Sequence, residues 1–129
     1  MTGPYTLKKL TDVGDSAPRF GFEDVQEARF ANDDLETEAT GVSHHRVKAG
    51  RRQAIAHRHE NAEEVYVVLS GSGRLKLDDE IIEVRALDAI RVEPQVTRAF
   101  EAGPDGIEVL AVGPLHKGDG EVIQGWWTD

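Results

Sequence analysis

The sequence predicts an all-β domain, a sandwich or barrel, preceded by an irregular N-terminal arm and followed by an apolar C-terminal tail. Three observations carry this. After Gly41 the chain takes on a period of two, the repeat of strands with one face buried. Clusters of Gly, Pro, Asp and Ser interrupt those runs at short, recurring intervals. A chain of 129 residues and 14.2 kDa has room for one core and would hardly sustain a second, so the strands are expected to share it.

The elements follow in order. The arm, residues 1–39, is broken by Gly14, Pro18 and Gly21. Within it, Glu23 to Ala31 has an acidic start and Val25, Ala28 and Phe30 at the spacing of a short helix, one that needs packing to persist. The barrel, residues 40–112, begins with a strand over Val42 to Lys48, closed by Lys48-Ala49-Gly50. The strand Gln53 to His59 places Gln53, Ile55, His57 and His59 on one face and Ala54, Ala56 and Arg58 on the other. Glu64 to Leu69 is a dense β-branched and aromatic run, and Ser70-Gly71-Ser72-Gly73 reads as the tight turn that ends it. Arg74 to Leu77 and Glu80 to Val84 form a hairpin around Asp78-Asp79. Ala89 to Val92, Thr97 to Glu101 and Ile107 to Val112 complete the set, with Pro94 and Gly103-Pro104-Asp105-Gly106 as turns. The tail, residues 113–129, is glycine-rich and ends in Trp126-Trp127, whose apolar bulk is expected to pack the tail onto the barrel or a second subunit rather than to form a stacking wall for a ligand.

Composition removes several classes of function. Without cysteine there is no disulfide, thiolate nucleophile or iron–sulfur cluster, and any metal must be held by nitrogen and oxygen. A formal charge of −9 is the wrong sign for neutralising phosphates, so nucleic acid is not an expected partner. No apolar run has the length of a membrane-spanning helix, and Met1 to Leu10 lacks the apolar core of a signal peptide. A cytoplasmic protein with no membrane partner is the expectation.

The residues that carry chemistry lie in the string G-x6-H-x-H-x4-E-x6-G formed by Gly50, His57, His59, Glu64 and Gly71. Two histidines spaced by one residue on a strand share a face, and a turn through Glu60 to Glu63 brings Glu64 to them from the next strand. Two imidazoles and a carboxylate suit iron(II), manganese, nickel or zinc. This string, with the continuous stretch His57-Arg58-His59-Glu60-Asn61-Ala62-Glu63-Glu64-Val65-Tyr66-Val67-Val68-Leu69-Ser70-Gly71, resembles the first motif of the small bacterial cupins. The resemblance covers roughly residues 40 to 112. It implies a double-stranded β-helix, or jelly-roll, barrel with an internal divalent-metal site on His57, His59 and Glu64, and a homodimer.

The second cupin motif falls on Leu87 to Ala102 and departs from the family pattern. Leu87 and Gln95 replace glycines, Glu93 a proline, Ala102 an asparagine, and Arg98 stands where the family places a third histidine. A guanidinium has no lone pair to give a metal. Two readings stay open. In one, a metal sits on the triad and Arg98 turns away or clamps an anionic metabolite. In the other there is no metal, Arg98 pairs with Glu64, and the histidines serve a small organic ligand by hydrogen bonding or proton transfer.

Tyr66 shares the face of Glu64 and is a candidate ligand contact together with Arg98. His44 and His45 are adjacent on a strand, so only one of them can face inward, where it could supply a third nitrogen; the other reading is that both are strand residues at a surface or subunit interface, and nothing marks His116 for a role. The expected function is a small-molecule-binding cupin with a degenerate or intact divalent-metal site for an anionic metabolite. The alternatives are a metal-dependent dioxygenase or isomerase and a non-catalytic sensor domain, which without a helix-turn-helix would not read DNA by itself.

Overall fold

The computed structural model describes residues 3–116 and 118–128. Residue 117, the first two residues of the arm and the last of the tail lie outside them. Among the described residues eight strands form one curled antiparallel sheet: β1 (Gln26–Phe30), β2 (Thr40–Val47), β3 (Ile55–His59), β4 (Glu64–Leu77), β5 (Glu80–Arg85), β6 (Ala89–Val92), β7 (Arg98–Pro114) and β8 (Gly120–Gln124). The all-β barrel expected from the period-two pattern is what the chain forms.

Two long strands make it a jelly roll. The second half of β7, Ile107 to Pro114, lies between β2 and the first half of β4, which in turn pairs with β6. The first half of β7, Arg98 to Ala102, pairs with the second half of β4, which continues into β5. On its other side β7 meets β3 through the Arg98–His57 pair, and β3 carries β8. β4 and β7 therefore pass from one layer into the other, and their register slips between Val68 and Gly73.

These corners correct two expectations. Ser70-Gly71-Ser72-Gly73 and Gly103-Pro104-Asp105-Gly106 are not hairpin turns; each sits within a continuous strand at the bend. Glycine is required there because the two bent strands nearly touch. A Cβ on Gly71 would run into the carbonyl of Gly106, and one on Gly73 into the carbonyl of Glu101. Both Gly71 and Gly106 have φ of 78°, which the sheet tolerates as a local coil. The hairpin around Asp78-Asp79 forms as expected between β4 and β5, with Asp78 at φ 52°.

The helix expected over Glu23 to Ala31 is overturned: Gln26 to Phe30 is the strand β1, paired with β2 from Gln26↔Val47 to Phe30↔Ser43. Gln26 and Ala28 are buried two apart, a period the Val25, Ala28 and Phe30 spacing obscured. An isolated helix of this length does not sustain itself, whereas β2 offers an open row of backbone partners. The helical turn comes later, as α1 (Asn32–Leu35). Side chains then fasten the arm: Asp15 Oδ1 accepts the N–H groups of Ala17 and Ala28, and Gln26 Oε1 accepts that of Ala54.

The tail also joins the sheet, because β8 pairs with β3 from Ile55↔Gln124 to His59↔Gly120. Arg58 and Glu121, directly opposite each other on the outer face, are ion-paired at 2.9 Å. The core lies between the layers at one end of the barrel, where Val68, Leu75 and Val109 are fully buried with Val84, Val92 and Phe100 around them. Each such side chain contributes about 1.5–3 kcal/mol through burial. The other end remains open and holds the site. Among the described residues no helix is long and apolar enough to cross a membrane.

Candidate functional site

β3 presents Ile55, His57 and His59 to the interior, with Gln53 just before it on the same side, and Arg58 to solvent, as the period of two requires. The loop after His59 returns the chain so that Glu64, the first residue of β4, faces the same space. One ligand atom from each of His57, His59 and Glu64 lies within 4.8 Å of the others, the one grouping of this kind that holds together among the described residues. The imidazoles stand edge to face, ring centroids 5.3 Å apart.

Glu64 is the hub. Its Oε1 accepts the Tyr66 hydroxyl proton and an Arg98 Nη2–H at 2.7 Å, and lies 3.4 Å from His57 Nε2 and 3.5 Å from His59 Nε2. Burial alone would raise this carboxyl, but the contacts with His57, His59 and Tyr66 outweigh it and hold the group well below the usual carboxylate range. Burial and the neighbouring Glu64 charge push the Tyr66 phenol up, so Tyr66 is a proton donor here. Its oxygen also receives Arg98 Nε–H and sits 3.0 Å from His57 Nε2.

Arg98, expected as a ligand contact, is placed elsewhere. Its side chain is 0% exposed and does not line the cavity. It lies opposite His57 on β7, behind Glu64 and Tyr66, and Nη1 donates to the carbonyls of Val96 at 2.8 Å and Pro94 at 3.1 Å. The pairing with Glu64 is the arrangement in which a buried guanidinium is satisfied on nearly every N–H. Arg98 thus supports the carboxylate and the loop leading into β7 from outside the cavity.

Of the paired histidines, His45 faces the cavity and His44 the opposite side, where its Nε2 lies 2.6 Å from Glu108. His45 Nε2 is 2.8 Å from the Ser43 hydroxyl, while its Nδ1 is buried without a partner. Burial pushes this imidazole down to about 4, and the neighbouring His57 acts in the same direction. His116 is exposed, remote from the cavity lining. The two tryptophans pack the tail onto the barrel: Arg52 lies 4.5 Å from the Trp127 ring centre and Lys76 4.7 Å from that of Trp126. Neither ring lines the cavity.

Asp119 was not anticipated. It lies just before β8, its side chain 3% exposed, with Oδ2 3.5 Å from His59 Nδ1. It also accepts the backbone N–H groups of Glu60, Asn61 and Ala62, clamping the loop that joins His59 to Glu64. The Gly118-Asp119-Gly120 triplet signals a turn but gives no hint of that destination.

Above the triad lies a cavity of about 590 Å³, within the usual range of small-molecule sites. Its floor is His45, His57, His59, Glu64 and Tyr66; Gln26 and Gln53 add polar edges, and the walls are apolar residues of β1, β2, β7 and β8. Phe20 and Phe22 from the arm complete the rim.

The fold has counterparts among known proteins. A cupin protein from Bacteroides fragilis superposes with a TM-score of 0.69 at 23% identity, over 99% of this chain and 91% of that one. The polyketide cyclase RemF of Streptomyces resistomycificus gives 0.74 at 21% identity, over 100% and 89%. Oxalate decarboxylase of Bacillus subtilis gives 0.73 at 20% identity, covering 93% of this chain but 33% of that larger one. At these identities the likeness is one of fold. An uncharacterised protein of Methanocaldococcus jannaschii, MJ1618, is 35% identical over 75 residues, a match spanning 56% of this chain and 60% of that protein's length. The sequence model of the cupin domain, Cupin_2, matches residues 43–113, more than half of the chain and the whole segment that carries the triad, and the chain belongs to that family.

Proposed function

We propose that this protein is a small-molecule-binding cupin in which His57, His59 and Glu64 hold one divalent cation at the floor of the cavity. The observation that carries this reading is His59. Both of its ring nitrogens are buried, yet neither has a hydrogen-bond partner, even though carboxylates lie 3.5 Å away on either side. Buried polar atoms are rarely left unpaired, and an imidazole nitrogen aimed at a second imidazole and a carboxylate meets the needs of iron(II), manganese, nickel or zinc. A cation bound there would supply a Lewis acid to an oxygen of the ligand. The chain's own residues do the rest. Tyr66 and Arg98 keep Glu64 ionised and oriented, Asp119 turns His59 toward the cavity, and the walls offer a ligand apolar surface.

Elemental analysis after incubation with each of the four metals tests this. Stoichiometric uptake that is lost in His57→Ala and Glu64→Ala is the expected result; traces alone, equal in wild type and variants, would overturn it. A second reading, a metal-free binding pocket, is favoured by one observation, the closed network in which Arg98 and Tyr66 already saturate Glu64 Oε1. Whether the occupied site performs a dioxygenase or isomerase reaction or only senses its ligand is decided by turnover assays on the metal-loaded protein.

A further inference from the structure

The cavity lining constrains its ligand independently of the cation. Among the described residues it contains no lysine or arginine, and the carboxylate that faces into it is that of Glu64, since Glu121 turns its own outward to Arg58. The nearest guanidinium, that of Arg98, is buried behind Tyr66 and spends its donors on Glu64, Tyr66 and backbone carbonyls. An organic anion entering this space would lose its hydration beside a carboxylate, with no side-chain cation to receive it.

The walls favour a different class. Ile55, Val109, Ala111 and Phe100 give an apolar surface inside the barrel. At the rim Phe20 is 62% exposed and Phe30 55% exposed, although both line the cavity. Phe20 and Phe22 lie with ring centroids 6.2 Å apart and planes inclined by 30°. Aromatic surface left in water beside an apolar hollow is surface that a ligand can cover. At the floor, Glu64 offers an acceptor and His59 Nε2 an unpartnered ring nitrogen.

We propose that the cavity, with no cation on the triad, binds an uncharged aromatic compound bearing a hydroxyl group, its ring between the Phe20–Phe22–Phe30 rim and the apolar strands, and its hydroxyl at Glu64 and His59. This rests on the reading of the cavity as a small-molecule site, but not on the cation. It replaces the anionic metabolite expected from the sequence, an expectation that depended on Arg98 lining the pocket.

The test is isothermal titration of the full chain, stripped of metal by chelation, with 2-naphthol, with 2-naphthoate and with malonate. The naphthol and naphthoate share a ring system and differ in charge at neutral pH. Naphthol is expected to bind at least about tenfold more tightly than naphthoate, the cost of desolvating a carboxylate without a partner. Phe20→Ser, at an exposed position that does not threaten the fold, and Phe22→Ser are each expected to weaken naphthol by about threefold to tenfold through lost aromatic contact. Naphthoate or malonate binding as tightly as naphthol, no binding of naphthol, or unchanged naphthol affinity in both phenylalanine variants would each overturn the proposal. Metal content measured separately keeps the two readings apart. Naphthol binding without metal uptake leaves this proposal standing and removes the metal site, and metal uptake with a preference for naphthoate does the reverse.

Discussion

Arg98 shows how one residue redefines a site without entering it. Its guanidinium joins Glu64, Tyr66 and the carbonyls of Pro94 and Val96, so removing it strands a buried carboxylate and several acceptors at once. Arg98→Ala is expected to cost about 3–5 kcal/mol in chemical denaturation, the usual penalty for breaking a buried charge pair from one side. Arg98→His separates the two roles the position can play. It lies opposite His57 across β3 and β7, so an imidazole there should tighten metal binding while stability still falls. Unchanged metal affinity in that variant would show that the position does not reach the centre. His45 makes a pH prediction. Its folded value, about 4, lies below the ordinary 6.5, so the unfolded chain takes up this proton first and stability falls as pH drops from 6.5 toward 4. The slope from this group approaches about 1.4 kcal/mol per pH unit. His45→Asn should flatten that window in denaturation curves; an unaltered slope would mean that His45 is protonated in the fold.

At the scale of elements the glycine corners set the barrel's shape. Gly73 has an ordinary backbone angle and still has no room for a methyl group, because Glu101 of β7 crosses it; Gly14, in the arm, has nothing within 4 Å. Gly73→Ala is expected to destabilise by about 1–3 kcal/mol or more, and Gly14→Ala by far less. Equal effects would contradict the close approach of the two bent strands. These corners also mark the limit of what was legible in the chain. A period of two fixes which side chains share a face, so His57 could be set beside His59 and Tyr66 beside Glu64 from spacing, and the cupin resemblance turned that face inward. The period does not report whether glycines end a strand or bend it, since glycine serves both, and both corners read as turns in the sequence. β1 was misread because five residues hold too few repeats to separate a period of two from one of 3.6. The Arg98–Glu64 pair was one of the two readings the sequence left open, and it forms; the seat of Arg98 outside the cavity and the role of Asp119 were illegible for another reason, because most of their partners are backbone groups, which leave no pattern in the side chains.

For the whole molecule the question is what holds the open end of the barrel together. β8 is an edge strand, paired among the described residues with β3 alone, yet it supplies one wall of the cavity and follows directly on Asp119, which clamps the loop between His59 and Glu64. Its far end is fastened by the two tryptophans. Arg52 stacks on Trp127 and donates to the Trp127 carbonyl at 3.0 Å, while Glu101 joins Arg52 to Arg74 across the outer face of β4 and β7. Each cation–aromatic contact of this kind contributes about 0.5–1 kcal/mol, and the ring's own burial adds to it. The clasp therefore lies on the outside of the barrel, but its effect should be felt inside. Trp127→Ala is expected to lower global stability by about 1–3 kcal/mol and to accelerate amide exchange selectively in Gly120–Gln124 and in the 60–62 loop that Asp119 holds, leaving the β4–β7 core protected. Because His59 depends on that loop, the same variant should bind metal more weakly although no ligand has been touched. Exchange that rises uniformly, or not at all in β8, would show that pairing with β3 alone secures the strand and that the tryptophans stabilise only themselves.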